Sequence, residues 1–253
     1  RGQPYDAKSS SCVKMLVSYC TLAAGRGRRR RFGKQCERGD NSPQIKQCVA
    51  ANSMATQRGL LKLGKRTPVI ASYARAPIGA FNGALASLKA PELGAIAIKG
   101  ACARAGITGT DVGEVLMGNV VSAGVGQAPA TQAAIFAGLG EDIPSTTINK
   151  VCASGMKSVM LAATQIALGL RDIVVCGGME SMSNVPHYAH LRSGLRLGDG
   201  KLVDGVVFDG LWDPYGDQHM GSCAEKCAAD HGISRDDQDA YAELSYERSR
   251  AAK

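Results

Sequence analysis

From Thr67 onward the chain alternates short apolar runs with helical stretches, and this alternation constrains the fold more than any other feature. Residues 68–73 (Pro-Val-Ile-Ala-Ser-Tyr) read as a strand, followed by a Gly/Pro turn at Ala76-Pro77-Ile78-Gly79. Leu93, Ile96, Ala97, Ala101 and Ala105 then recur at i, i+3, i+4 spacing, which predicts an amphipathic helix. Pro91 sits near its start, where a missing N–H costs nothing, and Gly106 closes it. A strand around residues 114–118 follows, then a small-residue helix near 129–138 and a strand at 145–150. A helix at 153–168, with Met156, Val159, Met160, Ala163, Ile166 and Ala167 at helical period, and a buried strand at 172–176 complete the series. Such a succession predicts an α/β fold with a mostly parallel sheet. Gly is 31 of 253 residues and the aromatics are 5%, so the layers pack through small side chains and tight turns.

Beyond Met182 the regularity fades. Residues 184–216 hold His187, Arg192, Arg196, Lys201, several Gly and the lone Trp212, an excursion out of the α/β core. A helix is expected from about Gly221, with Ala224, Cys227 and Ala228 on one face. A second is expected after Ser234, an N-cap residue followed by acids in the first turn. The chain stops at Lys253 inside that second helical pattern, which predicts an incomplete architecture. The expected organisation is an extension over 1–66, an α/β domain over 67–181 and an excursion domain over 182–253.

The formal charge of +8 is unevenly placed. Residues 1–66 hold 15 of the 30 Lys and Arg and 3 of the 22 Asp and Glu, so they carry +12 and the remainder −4. The mildly acidic body gives no electrostatic case for nucleic acid. Residues 1–66 include Arg26 and Arg28 to Arg31 and show no sustained period. An Arg-rich transit peptide and an RNA-binding arm are both conceivable for them. Without an amphipathic helix, a disordered extension outside the folded protein is the favoured reading. A start at Met54 gives a cytoplasmic protein and a start at Met15 leaves a mitochondrial address open. The nine Cys form no disulfide framework, and Cys223 and Cys227 lack further ligands at zinc spacing, so no metal is expected. No apolar run approaches the ~20 residues that span a bilayer, so no membrane partner is expected.

The stretch Asn149-Lys150-Val151-Cys152-Ala153-Ser154-Gly155-Met156-Lys157 carries the chemistry. It places Cys152 where a strand turns into a helix. Backbone N–H groups at a helix start favour a thiolate and can later hold an oxyanion. The small residues Ala153, Ser154 and Gly155 leave room for an acyl group. Local logic alone leaves two roles open for Cys152, nucleophile or buried structural thiol. The segment Gly124-Val125-Gly126 begins like a dinucleotide loop, but Pro129 stands where its third Gly belongs.

NKVCASGMK resembles the nucleophile motif of the thiolase family, in the form carried by its acetoacetyl-CoA-forming members. Further segments resemble the same family in order and spacing: Arg75-Ala76-Pro77-Ile78-Gly79-Ala80-Phe81, Gly118-Asn119-Val120 with Gly124 to Gln127, and Cys176-Gly177-Gly178-Met179-Glu180-Ser181-Met182-Ser183. So does His219-Met220-Gly221 with Ala224-Glu225. The resemblance covers residues 67–253. It implies a thiolase fold, with a mostly parallel sheet, helices on both faces and an inserted loop domain. It implies Cys152 as the nucleophile that takes an acyl group from acyl-CoA, its own N–H contributing to an oxyanion hole. His219 and Met220 would line the pantetheine channel, and Arg192, Arg196 and Lys201 are candidates for the CoA phosphates. His187 and His190 match no catalytic motif.

The implied reaction is reversible Claisen condensation of two acetyl-CoA to acetoacetyl-CoA and CoA. It needs no cofactor beyond the coenzyme A thioester that serves as substrate. The family assembles as homodimers or homotetramers. Alternatives are a 3-ketoacyl-CoA thiolase of broader chain length and a non-catalytic thiolase-like protein that binds CoA or lipid. Three family segments, GHP with its catalytic His, NEA, and CxGGG with its second Cys, do not occur in these 253 residues. The C-terminal half is therefore expected to be absent from this chain. Thr131 stands where the family usually carries Arg near the subunit interface. The 253-residue chain by itself is expected to show negligible condensation in an acetoacetyl-CoA assay, and robust synthesis by the purified chain would overturn that expectation.

Overall fold

The computed structural model describes residues 18–24 and 66–251, and it divides into two compact units, 1–186 and 187–253. Each unit is considered by itself.

The first unit is built on a five-stranded sheet. Its strands are β1 (Ser18–Ala24), β2 (Pro68–Arg75), β3 (Glu114–Gly118), β4 (Ser145–Ile148) and β5 (Ile173–Gly178), in the order β2-β1-β5-β3-β4. β3 pairs in parallel with β4 and β5, while β1 runs antiparallel between β2 and β5. Three helices cover it: α1 (Ala90–Ala105), α2 (Pro129–Phe136) and α3 (Ser154–Leu168). The expected α/β architecture with a mostly parallel sheet is present. β3 and β5 read as continuous apolar runs because both faces are covered. Val115, Met117 and Val175 join one core with Leu93, Ile98 and the α2 alanines. Leu116, Val174 and Cys176 join another with Ala162 and Ile166 of α3. Helices therefore lie on both faces.

Strand β1 lies inside the segment expected to be a disordered extension. Residues 1–17 and 25–65 of that segment, with Arg26 and the run Arg28 to Arg31, fall outside the described residues. The sequence of β1 (SYCTLAA) is uncharged and does not alternate, so a search for periods passes over it.

The helices follow from their ends. Glu92 accepts from the N–H of Lys89 at 2.7 Å, Pro91 sits in the first turn of α1, and Gly106 ends the helix at φ +66°. The buried stripe runs Ala90, Leu93, Gly94, Ala97, Ile98 and Ala101, so Ile98 is inside and Ile96 is 51% exposed. Spacing counted from Leu93 takes Ile96 at i+3, whereas Ile98 falls at i+8 from Ala90. Only the packed stripe at i, i+3, i+4, i+7 chooses between them.

A larger correction concerns α3. Met156 and Met160 carry the apolar period in the sequence yet are 70% and 50% exposed. The buried face is Ser154, Ser158, Ala162, Ile166 and Ala167. Taken with its leading turn, Val151–Leu168 is long and apolar enough to cross a membrane by length and composition. The expectation that no such stretch exists is thereby corrected. In the fold, this helix packs on β3 and β5 through Ala162 and Ile166.

The division between the units falls after Pro186, beyond the expected boundary at 182. Ser181 and Asn184 explain it, since both donate to the Leu88 carbonyl and hold 181–186 onto the first unit. The second unit contains the two-residue ladder β6 (His187–Tyr188) with β7 (Val203–Asp204), then the hairpin β8 (Trp212–Asp213) with β9 (Gln218–His219). Helices α4 (Met220–Asp230) and α5 (Arg235–Ala251) follow. Ser234 caps α5, its Oγ accepting from the N–H of Asp237 at 3.1 Å.

The two isoleucines of α1 give a direct test of this packing. Ile98→Ala is expected to cost about 2–5 kcal/mol in urea unfolding. Ile96→Ala should stay within about 0.5 kcal/mol. Equal costs would contradict the observed stripe.

Candidate functional site

Cys152 occupies the turn between β4 and α3 and is exposed. The turn is strained. Val151, a β-branched residue, sits at φ +47°, in the left-handed region that costs it on the order of 1–3 kcal/mol. Hydrogen bonds on both sides hold it there. The Val151 N–H donates to Asn149 Oδ1 at 3.0 Å. Its carbonyl accepts from Ser154 N–H at 3.0 Å and from Ser154 Oγ at 2.6 Å. Ser154 Oγ in turn accepts from Lys150 N–H at 2.8 Å. No side chain caps α3, and the Ala153 and Ser154 N–H groups donate instead to the Lys150 and Val151 carbonyls, at 3.1 and 3.0 Å.

Three glycines place this turn. A Cβ on Gly118, at the end of β3, would lie 2.7 Å from the Ser154 carbonyl carbon and 2.8 Å from Gly155 N. A Cβ on Gly178, at the end of β5, would lie 3.3 Å from Gly155 Cα. The start of α3 is thus wedged against the ends of two parallel strands at backbone contact. Ser158 is fully buried there, its Oγ 2.8 Å from the Gly177 carbonyl and 2.7 Å from that of Gly155, able to donate to one at a time.

Behind the turn lies Glu180, which sequence reasoning quoted in a motif but did not assign. Its Oε2 accepts from Val120 N–H at 2.8 Å, and its Oε1 from Asn119 Nδ2 at 2.6 Å. The Val121 N–H also bonds the carboxylate. Burial outweighs these donors and pushes the carboxyl up from 4.5 to about 7. Asn119 is buried at 2% exposure, and its Nδ2 also reaches the Met179 carbonyl at 3.3 Å. The Asn149 amide donates to the Val120 carbonyl at 3.3 Å, linking this group to the Cys152 turn. No local signal exposes the convergence, because residues 119–120, 149 and 180 come from three separate strand ends.

The other sequence-derived candidates lie in the second unit. His219 caps α4, its Nδ1 accepting from Gly221 N–H at 2.9 Å. With Nδ1 so engaged, the neutral ring carries its proton on Nε2. The β8–β9 turn holds the histidine: Asp213 accepts from Tyr215 N–H at 3.0 Å and Gly216 N–H at 3.1 Å. Trp212 Nε1 donates to Asp217 at 3.0 Å. Met220 follows at the first position of α4, 41% exposed. Arg192, Arg196 and Lys201 are exposed along the segment between β6 and β7 and make no ion pair among the described residues. His187 pairs with Asp204 at 3.7 Å, and His190 meets Tyr188 edge-on at 5.7 Å. His219 and Met220 are therefore brought together, the three cations share one segment, and Cys152 stands in the other unit.

These features define an α/β protein with an exposed cysteine on a strained turn at the ends of parallel strands. The chain belongs to the thiolase family: the family model described as thiolase, N-terminal domain, matches residues 68–253. Similar proteins include the cytosolic acetyl-CoA acetyltransferase of Gibberella zeae, 55% identical over 184 residues, covering 72% of this chain and 46% of that protein. The mitochondrial acetyl-CoA acetyltransferase of Xenopus tropicalis is 58% identical over 184 residues, covering 73% and 44%. The acetyl-CoA acetyltransferase of Cupriavidus necator is 53% identical over 186 residues, covering 73% and 47%. The chain spans about half the length of the curated relatives it matches.

The raised carboxyl of Glu180 has a stability consequence. Between about pH 4.5 and 7 the folded chain keeps a proton that the unfolded chain has released. Its contribution is full below about 4.5 and is lost as pH rises through 7, by roughly 3 kcal/mol. Thermal melts from about pH 4.5 to 8 should therefore show the wild type losing stability relative to Glu180→Gln. Parallel curves would contradict the burial of this carboxyl.

Proposed function

We propose that this chain is the nucleophile-bearing part of an acetyl-CoA acetyltransferase. The observation that carries the reading is the exposed Cys152 on its strained turn, beside the uncapped start of α3. In the proposed step, the Cys152 thiolate attacks the thioester carbonyl of acetyl-CoA. The carbonyl oxygen gains the charge, which the Cys152 N–H receives. Collapse breaks the C–S bond to coenzyme A, which leaves as the thiol with the proton that Cys152 gave up, and the acetyl group stays on Sγ.

In the second half-reaction the enolate of another acetyl-CoA attacks the acetyl carbonyl, forming acetoacetyl-CoA and freeing Cys152. The proton transfers of both halves need bases that the family carries in GHP and CxGGG segments, which these residues do not contain. Under this reading no metal or redox cofactor enters, because the thioester itself supplies an activated carbonyl and an acidic α-proton.

His219 and Met220 are assigned to the pantetheine arm, and Arg192, Arg196 and Lys201 to the CoA phosphates. The exposure of all three cations and the engagement of His219 Nδ1, which leaves Nε2–H as the ring's donor, support these roles. The functional domains follow as 67–181 for acyl transfer and 182–253 for covering CoA, with 1–66 as an extension outside the family match. A homodimer or homotetramer is the proposed assembly. A cytoplasmic location is preferred and a mitochondrial one is the alternative, in line with relatives named for both compartments.

Iodoacetamide labelling, read peptide by peptide, tests the central claim. Cys152 should be modified faster than the other eight cysteines, and acetyl-CoA should slow that labelling about ten-fold or more while leaving Cys227 unaffected. Uniform labelling across the nine would defeat the nucleophile assignment.

A further inference from the structure

We propose that Glu180 is a positioning residue for Cys152, acting through a hydrogen-bonded chain that runs by way of Val120 and Asn149 to the Val151 N–H. The inference rests on the reading of Cys152 as the nucleophile and adds the device that aims it.

The strain at Val151 is the starting point. A β-branched residue stays at φ +47° only while its surroundings over-determine that conformation. On its C-terminal side Ser154 holds the carbonyl. On its N-terminal side one contact holds the N–H, the 3.0 Å bond to Asn149 Oδ1. Asn149 is an exposed residue at the end of β4, so its amide needs an anchor of its own. That anchor is the Val120 carbonyl, 3.3 Å from Nδ2.

Val120 lies just beyond β3, and its N–H is gripped by Glu180 Oε2 at 2.8 Å. The carboxylate also takes Asn119 Nδ2 and the Val121 N–H, so it organises the backbone of three consecutive residues. The path thus crosses from β5 to β3 to β4 and ends one residue before Cys152. It returns to its origin through Gly178, two residues before Glu180, whose backbone packs on Gly155 in the first turn of α3.

The chemistry of Glu180 favours a role beyond packing. Its ionised form lowers the stability of the fold at neutral pH, yet that form is acceptor-only and faces all three donors without a competing O–H. Protonation turns one oxygen into a donor and sets it against an N–H group. The charged side chains on the neighbouring elements are Lys150 on the nucleophile turn, Lys157 in the first turn of α3, and Glu114 at the start of β3, which is paired with Arg171 at 3.2 Å. None is among the causes that move the carboxyl, which are burial and the three donors. The Cys152 turn is therefore held by a clamp that engages as Glu180 ionises, close to neutrality.

The test measures the rate of Cys152 alkylation by iodoacetamide in the chain from about pH 5.5 to 9, with exposed Cys227 of the second unit as reference. In the wild type a step near pH 7 is expected on top of the rise from thiol ionisation. Glu180→Gln should lose the step, with Cys152 alkylation at pH 8 down about ten-fold and Cys227 unchanged. Asn149→Asp keeps the acceptor for Val151 N–H but loses the donor to Val120, so the relay predicts loss of the step there too. A purely local role for Asn149 predicts its retention. If Glu180→Gln does not fold, the Asn149→Asp profile decides by itself. Selective Cys152 labelling with the step retained in both variants would overturn the relay and leave the nucleophile in place. Absence of selective labelling in the wild type would overturn the nucleophile reading, and the relay with it.

Discussion

The structure depends on a backbone contact. The start of α3 meets the ends of β3 and β5 through Gly118, Gly155 and Gly178, with no side chain between them. This approach explains why the buried face of α3 is Ser154, Ser158 and Ala162 rather than its methionines. A Met at those positions would push the helix off the sheet. It also brings polar backbone into a dry place, and the Ser158 hydroxyl answers that by reaching the Gly177 and Gly155 carbonyls. With the helix start fixed this closely, the turn that joins it to β4 has little freedom. Cys152 is presented at the rim because the chain has no other way to enter α3.

Two local costs accompany that placement. Val151 adopts a backbone conformation that β-branched residues avoid, and Glu180 holds a carboxyl in a site that disfavours its charge. Both belong to one connected group of hydrogen bonds, which draws on residues from three strand ends. Strain and a displaced carboxyl in one hydrogen-bonded group are features that packing alone would discard, and they coincide with the exposed Cys152.

Much of this was legible beforehand, for reasons that differ by element. β3, β5 and α1 announce themselves through apolar runs and helix ends, and their positions in the fold follow closely. The choice of Ile98 over Ile96 did not show, because two adjacent stripes satisfy the same spacing. The methionines of α3 misled for a related reason: hydrophobicity marks a helix face, but the width of the gap decides which face fits. β1 escaped notice because its seven residues carry no alternation that a search for periods could find.

By itself the sequence determined the α/β order, the family through its spaced motifs, and the location of Cys152 at a strand-to-helix turn. These are properties of neighbours along the chain, where period, caps and motif spacing act. Only the tertiary structure decided how that turn is held. The Gly118–Gly155–Gly178 contact, the grip of Glu180 on residues 119–121 and the anchoring of Asn149 join segments about 20 to 60 residues apart. Nothing local encodes them, because each is set by where parallel strands end relative to one another once the sheet has formed.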